Sequence, residues 1–541
     1  MQARGVMETR WSGPDAAVSD RDRPNAASRL AISRVVMEEI ERSIPAGHRA
    51  AFHPRSTLAS LGIDEVAFLD VLARLEGRYQ MRFHPDWLHD VSTCDALVDS
   101  IAEHMFDAAD RDTPPRRPAG RRVSGLPTIT AGRDPVAGDG SAPQDDPFPE
   151  CRALEERFEG LRTAGLANPF LLANERVSGR TARIAGRDVV SYTSFDYLGL
   201  AGHPDVTRAA KEAIDRFGCS ASASRMVGGN TSLHDALDAE LADFLGTDRA
   251  VVFPCGYGTN ASLFGHLFGE GDLILYDELA HNSIVNGAGA SKAGKRPFRH
   301  NDHDQLAALL RDLRHDYRRV VVAIEGVYSM DGDYPDLPRF IEAKQRYDAL
   351  LYVDEAHSVG TMGPTGRGIC DHFGVDPADG DLWMGTISKA LGAGGGYLAG
   401  ADRLVRYLGY TTPAFVFSTA CSPPNAAAAL EAVRVIRREP WRVTRLRERS
   451  ALFLKLCDDL GLDTGASGDT PVIPVIVGSS QRAIAVSQLL LERGVNARPI
   501  LYPAVRESAA RVRFFLTCEH TEEQIVRTAE VLGEVMAATA S

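Results

Sequence analysis

From Cys151 onward the chain alternates short apolar runs with turn residues and helical spacing, a pattern that few folds accommodate. Val251-Val252-Phe253, Leu273-Ile274-Leu275, Val320 to Ile324 and Leu350 to Val353 are too short for helices and lack polar alternation. Strands of that kind are buried on both faces. The expected fold class is therefore α/β, a mostly parallel sheet covered by helices on each side. At 541 residues the chain exceeds what one core usually serves, so further domains are expected.

Those domains are marked by shifts in composition. Residues 1–28 are polar, rich in Arg, Asp and Ala, and read as a disordered lead-in. From Leu30 an apolar stripe passes through Ile32, Val35, Val36, Ile40 and Ile44 at helical spacing. A second helix is expected over 64–79, with Val66, Leu69, Leu72 and Leu75 on one face, and a third over 93–105, with Leu97, Val98 and Ile101 inward. Asp64 and Thr93 suit the N-caps. Residues 29–107 thus read as a small helical domain. Residues 108–150 hold eight Pro and five Gly with few large apolar side chains, and read as a flexible linker.

Charge and cysteine usage narrow the function. The net charge of −13 argues against nucleic acid and anionic membranes as partners. No apolar run is long enough to span a bilayer, and the N-terminal residues show no secretory signal. Eight cysteines without paired spacing indicate neither a disulfide framework nor a metal site, so a cytoplasmic protein is expected.

Two sequence features carry chemistry. In Val353-Asp354-Glu355-Ala356-His357 a carboxylate and an imidazole follow a buried strand, where open α/β sheets place ligands. An acid there is as readily a helix cap as a ligand. In Thr386-Ile387-Ser388-Lys389, a lysine precedes the small-residue run Ala390 to Gly396. Enclosure would lower its pKa and make the neutral amine a nucleophile or base; alone, such a lysine is commonly a surface residue.

With their neighbours these residues resemble the α-oxoamine synthase family of pyridoxal-phosphate (PLP) enzymes, over about Ala167 to Ile525. The motifs occur in the family's order: Asp196-Tyr197-Leu198-Gly199-Leu200, Cys255 to Asn260, Asp277 to Ser283, Glu325 to Gly332, Asp354 to His357, Thr386 to Lys389, Phe417-Ser418-Thr419 and Arg511-Val512-Arg513. The resemblance implies the PLP-dependent transferase fold type I within 151–541, with a large domain over about 196–425 and a smaller C-terminal α/β domain over about 426–541.

It also implies roles. Lys389 would hold the cofactor as a Schiff base and move a proton at the substrate Cα. Asp354 would pair with the pyridinium nitrogen, His281 would lie on the ring face, and His357 and Ser329 would bond the phenolic oxygen. Gly256 and Tyr257, opening a helix, and Thr386 would hold the phosphate. Ser418 and Thr419 would reach it from a second subunit, making a homodimer with shared sites. Arg513 would clamp the amino-acid carboxylate, while Arg511 would pair locally. The implied reaction is decarboxylative condensation of an α-amino acid with an acyl thioester, giving an α-aminoketone.

The departures matter as well. Phe195 stands where the family often has Asn, which fits an acyl donor without a charged tail. Cys219 to Arg225 replaces a glycine-rich segment. Leu501 and Ala504 stand where biotin-pathway members carry polar residues, which argues against biotin synthesis. Leu61 to Val66 and Val91 to Leu97 resemble an acyl carrier protein, but Glu65 occupies the position of the phosphopantetheine serine, and Ser56, Ser60 and Ser92 do not substitute for it. The domain is thus expected to be carrier-like yet unable to carry an acyl chain. A separate acyl carrier protein, rather than coenzyme A, is a candidate donor, which would place the enzyme in secondary metabolism. The alternatives are a PLP aminotransferase or aldolase on the same fold, or a carrier-docking scaffold without activity.

Overall fold

The computed structural model describes residues 26–44, 52–53, 56–57, 59–61, 71, 75, 93–95, 97–98, 101 and 148–539. The chain divides into two compact units, Met1–Ser141 and Ala142–Ser541.

In the first unit a helix spans Ala26–Ser43, starting slightly ahead of the expected boundary. Val36, Ile40 and Ile44 are buried, as helical spacing requires. Val71 and Leu75 are buried too, with Leu97, Val98 and Ile101. Thr93 accepts the Leu97 N–H, and an isolated bridge joins it to Thr57. Asp64, Glu65, Val66, Leu69, Leu72 and Ser92 lie outside the described residues, as does nearly all of the expected linker.

Among the described residues, the second unit contains fourteen strands in three sheets. Near its start come β1 (Arg176–Val177), β2 (Thr181–Ile184) and β3 (Arg187–Ser191). The central strands are β4 (Arg249–Phe253), β5 (Asp272–Asp277), β6 (Gly294–Phe298), β7 (Arg319–Glu325), β8 (Leu350–Asp354), β9 (Leu382–Thr386) and β10 (Gly396–Gly400). The last four are β11 (Val472–Ile476), β12 (Val495–Asn496), β13 (Arg498–Ile500) and β14 (Arg511–Phe515). The large sheet has the order β4-β10-β9-β8-β7-β5-β6, with only β10 antiparallel to its neighbours.

Alternation explains why these strands read as solid apolar runs. Val320, Val322 and Ile324 pack into one core, while Val321 and Ala323 pack into another on the opposite face. Both faces are covered, so neither set can be polar.

Two features show how segments distant in sequence join within this unit. Strand β12 pairs with β3, so residues 176–191 join the C-terminal part of the chain in one four-stranded sheet. The helix Pro423–Arg438 starts near the expected boundary at about 425 and packs chiefly on helices Pro204–Phe217 and Ser232–Leu245. Its buried alanines, Ala426 to Ala429, permit that close approach. Among the described residues, no helix is long and apolar enough to cross a membrane, and no cluster of His, Cys, Asp or Glu could hold a metal.

Candidate active site

Parallel strands bring their carboxyl ends to one edge of the sheet, and the chemically loaded residues sit just beyond those ends. Asp354 is the last residue of β8, Glu325 ends β7 opposite it, and Thr386 ends β9 with Lys389 following. His281 follows β5, and Gly256 follows β4 as the first residue of helix Gly256–Leu267.

Lys389 is half-buried. Burial lowers its pKa to about 8, against the opposing pull of Asp354 and Glu325, and Arg513 lowers it further. Its Nζ stands 5.6 Å from the centroid of the Phe195 ring.

Asp354 is 4% exposed, and both its carboxylate oxygens are held. Oδ1 accepts the Ala356 N–H at 2.9 Å, and Oδ2 accepts Asn260 Nδ2 at 2.7 Å. Asn260 also donates to Ser283 Oγ at 2.9 Å and accepts a short hydrogen bond from the Tyr352 hydroxyl. Burial keeps that phenol protonated.

His281 caps helix Asn282–Ala290. Its Nδ1 lies 2.6 Å from Ser283 Oγ and 3.3 Å from the Ser283 N–H, while its own backbone N–H donates to Glu325 Oε1 at 2.6 Å. Surrounding protein lowers the imidazole pKa; Asp354 opposes this, and the Lys389 amine adds to it. Glu325 is buried and its pKa is pushed well above the usual carboxyl range, first by burial and then by Asp354.

His357 is also buried, which drives its pKa well below the usual value; Lys389, Arg513 and His281 push the same way. Its Nδ1 is 2.7 Å from the Tyr197 hydroxyl. Phe195 meets it edge-on at 5.7 Å, and Phe515 stacks against it at 6.4 Å.

Arg513 on β14 donates through Nη1 to the Ser329 carbonyl at 2.5 Å, and its guanidinium lies 4.5 Å over the Phe515 ring. Its buried Nε has no acceptor in the protein, so the guanidinium retains donors for an anion. Burial lowers its pKa to about 10. Arg511, two residues earlier on the same strand and hence on the same face as Arg513 rather than the opposite one, is held by Asp331 at 2.6 Å and by the Met330 carbonyl at 2.9 Å.

The helix start beside Thr386 is a shelf made of backbone. A Cβ at Gly396 would stand 2.7 Å from the Gly256 Cα, and one at Gly256 would stand 3.0 Å from Thr386 Oγ1. Thr386 Oγ1 also bonds Ser388 Oγ at 2.5 Å. The Tyr257 ring meets His281 edge-on at 6.2 Å.

An amine of lowered pKa, a strand-end carboxylate and a free helix N-terminus with a hydroxyl form a donor set that fits PLP. Ser418 and Thr419 are not joined to this set by any hydrogen bond among the described residues, and their neighbour Phe417 is 84% exposed. Sequence reasoning singled out neither Asn260 nor Glu325 individually. Asn260 is an ordinary polar residue within a helix until the fold sets it against Asp354, and Glu325 gains its meaning only from the pairing of β7 with β8.

Comparison with known proteins agrees with this geometry. The family model for aminotransferase class I and II matches residues 187–532. The chain belongs to that family. Its relatives place it among the α-oxoamine synthases. The 8-amino-7-oxononanoate synthase of Symbiobacterium thermophilum is 40% identical over 69% of this chain and 94% of the relative. That of Thermoanaerobacter pseudethanolicus is 37% identical over 69% and 93%. Among solved structures, the serine palmitoyltransferase of Sphingomonas wittichii is 30% identical, with a TM-score of 0.70 over 73% of this α-oxoamine synthase and 99% of its own chain. A high-resolution SPT structure carrying PLP is 28% identical, with a TM-score of 0.71 over 73% and 100%.

Proposed function

We propose that this chain is a PLP-dependent C-acyltransferase that condenses an α-amino acid with an acyl thioester, releasing CO₂ and leaving an α-aminoketone. The observation that carries the reading is the convergence of Lys389 and Asp354, at the carboxyl edge of the large sheet, with Arg513 from β14 of the three-stranded sheet, which supports base, electrostatic anchor and carboxylate clamp in one site.

Bound PLP would supply an electron sink for negative charge developing at the substrate Cα. Asp354 would hold the ring nitrogen protonated, with its own orientation fixed by Asn260 and Ala356. His281 would lie on the ring face, and His357 and Ser329 would bond the phenolic oxygen. Gly256, Tyr257 and Thr386 would hold the phosphate. Arg513 would bind the amino-acid carboxylate through the donors that Ser329 leaves available.

The amine of Lys389, once displaced by the amino acid, would take the Cα proton. The Cα then forms a bond to the acyl carbon as the C–S bond breaks, and the sulfur leaves as a thiolate that takes a proton from solvent. Loss of CO₂ from the β-keto acid breaks the carboxyl C–C bond, and Lys389 returns its proton to Cα. The exposed Phe417, beside Ser418 and Thr419, supports a homodimer in which these two residues complete the partner's phosphate site.

Phe195, Leu501 and Ala504 favour an acyl donor with an apolar chain. The domain within 29–107 favours carrier-bound delivery in secondary metabolism. The 40% identity to an 8-amino-7-oxononanoate synthase favours a second reading, in which the product is that compound. Mass spectrometry of products from a panel of amino acids and acyl thioesters, with CO₂ measured alongside, separates the two. Transamination products without CO₂ would overturn both.

A further inference from the structure

We propose that Asn260 is a positioning residue that orders the protons on both sides of the cofactor site, fixing the Asp354 carboxylate directly and the tautomer of His281 through Ser283. The proton order follows from donor and acceptor counting alone; its use in catalysis rests on the proposed reaction.

The chain of bonds begins at Tyr352, whose buried hydroxyl donates to Asn260 Oδ1. The amide is oriented with its NH₂ toward Asp354 Oδ2 at 2.7 Å and Ser283 Oγ at 2.9 Å. The flipped amide would set a carbonyl oxygen against the acceptor-only carboxylate and lose that bond, whereas the phenol can donate or accept, so Asp354 decides the orientation. Both amide protons are therefore committed, and Ser283 Oγ accepts one of them.

Ser283 must then spend its own proton elsewhere, and His281 Nδ1 is 2.6 Å away. The Ser283 backbone N–H points at the same nitrogen from 3.3 Å. Two donors converge on Nδ1, so it carries a lone pair and the ring proton resides on Nε2. The lowered pKa of the imidazole agrees with a neutral ring. Among the described residues nothing bonds Nε2, which leaves an N–H donor free for a substrate oxygen. Asn260 is 1% exposed and Ser283 is fully buried, so water does not reach them to scramble the order.

Neutron diffraction from the perdeuterated holoenzyme tests the order directly. The expected result is deuterium on His281 Nε2 and on the Ser283 oxygen facing Nδ1. Deuterium on Nδ1 would overturn the proposal, whatever reaction the enzyme performs. The Ser283→Ala variant supplies the second arm. Losing a donor to Nδ1 removes a bond that favours the neutral ring, so the acid limb of the kcat/KM profile should move up by about one pH unit. An unmoved limb would overturn it equally.

Discussion

The Tyr197 hydroxyl and His357 Nδ1 stand 2.7 Å apart in a buried setting, joining the Asp196–Leu200 turn to the turn that follows β8. Burial keeps the phenol protonated and the imidazole neutral. In Tyr197→Phe the ring loses its tether and a buried nitrogen goes unpaired. Turnover should fall by about tenfold while the chain stays folded. Steady-state kinetics beside circular dichroism decides this; unchanged kcat would show that Tyr197 does not position His357.

The amine of Lys389 should be reactive at lower pH than other lysines. Its pKa is lowered to about 8, so it is protonated and inert below that value and neutral above it. Acylation of the cofactor-free protein, read by peptide mass spectrometry, should show modification of Lys389 rising through a midpoint near pH 8. Lys455, whose pKa is raised by Asp459, should respond only at higher pH. Coincident midpoints would contradict the burial argument.

His300 bridges Asp277 at 2.9 Å and Asp333 at 2.8 Å, tying the end of β5 to the loop after β7. Although burial opposes its charge, the two carboxylates raise its pKa from 6.5 to about 10. A raised histidine pKa gives stability that is complete below pH 6.5 and lost as pH rises through about 10. His300→Gln should therefore cost about 3 kcal/mol at pH 6 and much less at pH 10. Denaturant unfolding at both values measures the difference, and an equal loss at both would refute it.

Phe195 meets Phe515 edge-on at 4.7 Å, and that ring in turn lies beneath Arg513. The two rings make an apolar wall between Lys389 and Arg513. Replacing Phe195 with Asn should raise kcat/KM for a carboxylate-ended donor relative to a plain acyl donor by roughly tenfold. Competition between the two donors reads the ratio directly, and an unchanged ratio would remove Phe195 from donor selection.

The sequence showed the fold class because β7 and its neighbours are buried on both faces, leaving no polar positions to blur the pattern. It did not show β10, whose run Gly396-Tyr397-Leu398-Ala399-Gly400 is glycine-bounded and antiparallel, or the pairing of β3 with β12 across most of the domain. Lys389 and Asp354 drew notice because they follow apolar runs, but a cap or a surface lysine fits such places as well, and their roles, like that of Arg513 within β14, came from motifs read in the family's order. Asn260, Glu325 and Tyr197 were not, since each acts through a neighbour distant in sequence. Strand alternation cannot tell Arg511 from Arg513, which share a face; what separates them is the partner each finds, Asp331 for Arg511 and the Ser329 carbonyl for Arg513.

The near-contact of Gly256 with Gly396 has an evolutionary reading. The shelf there is built from main chain, which no codon change can swap for another chemistry, and any side chain at residue 396 would collide with it. Drift is thus left to the aromatic wall and the loop around Leu501. A lineage can exchange one acyl partner for another while its vitamin-derived prosthetic group keeps the same berth.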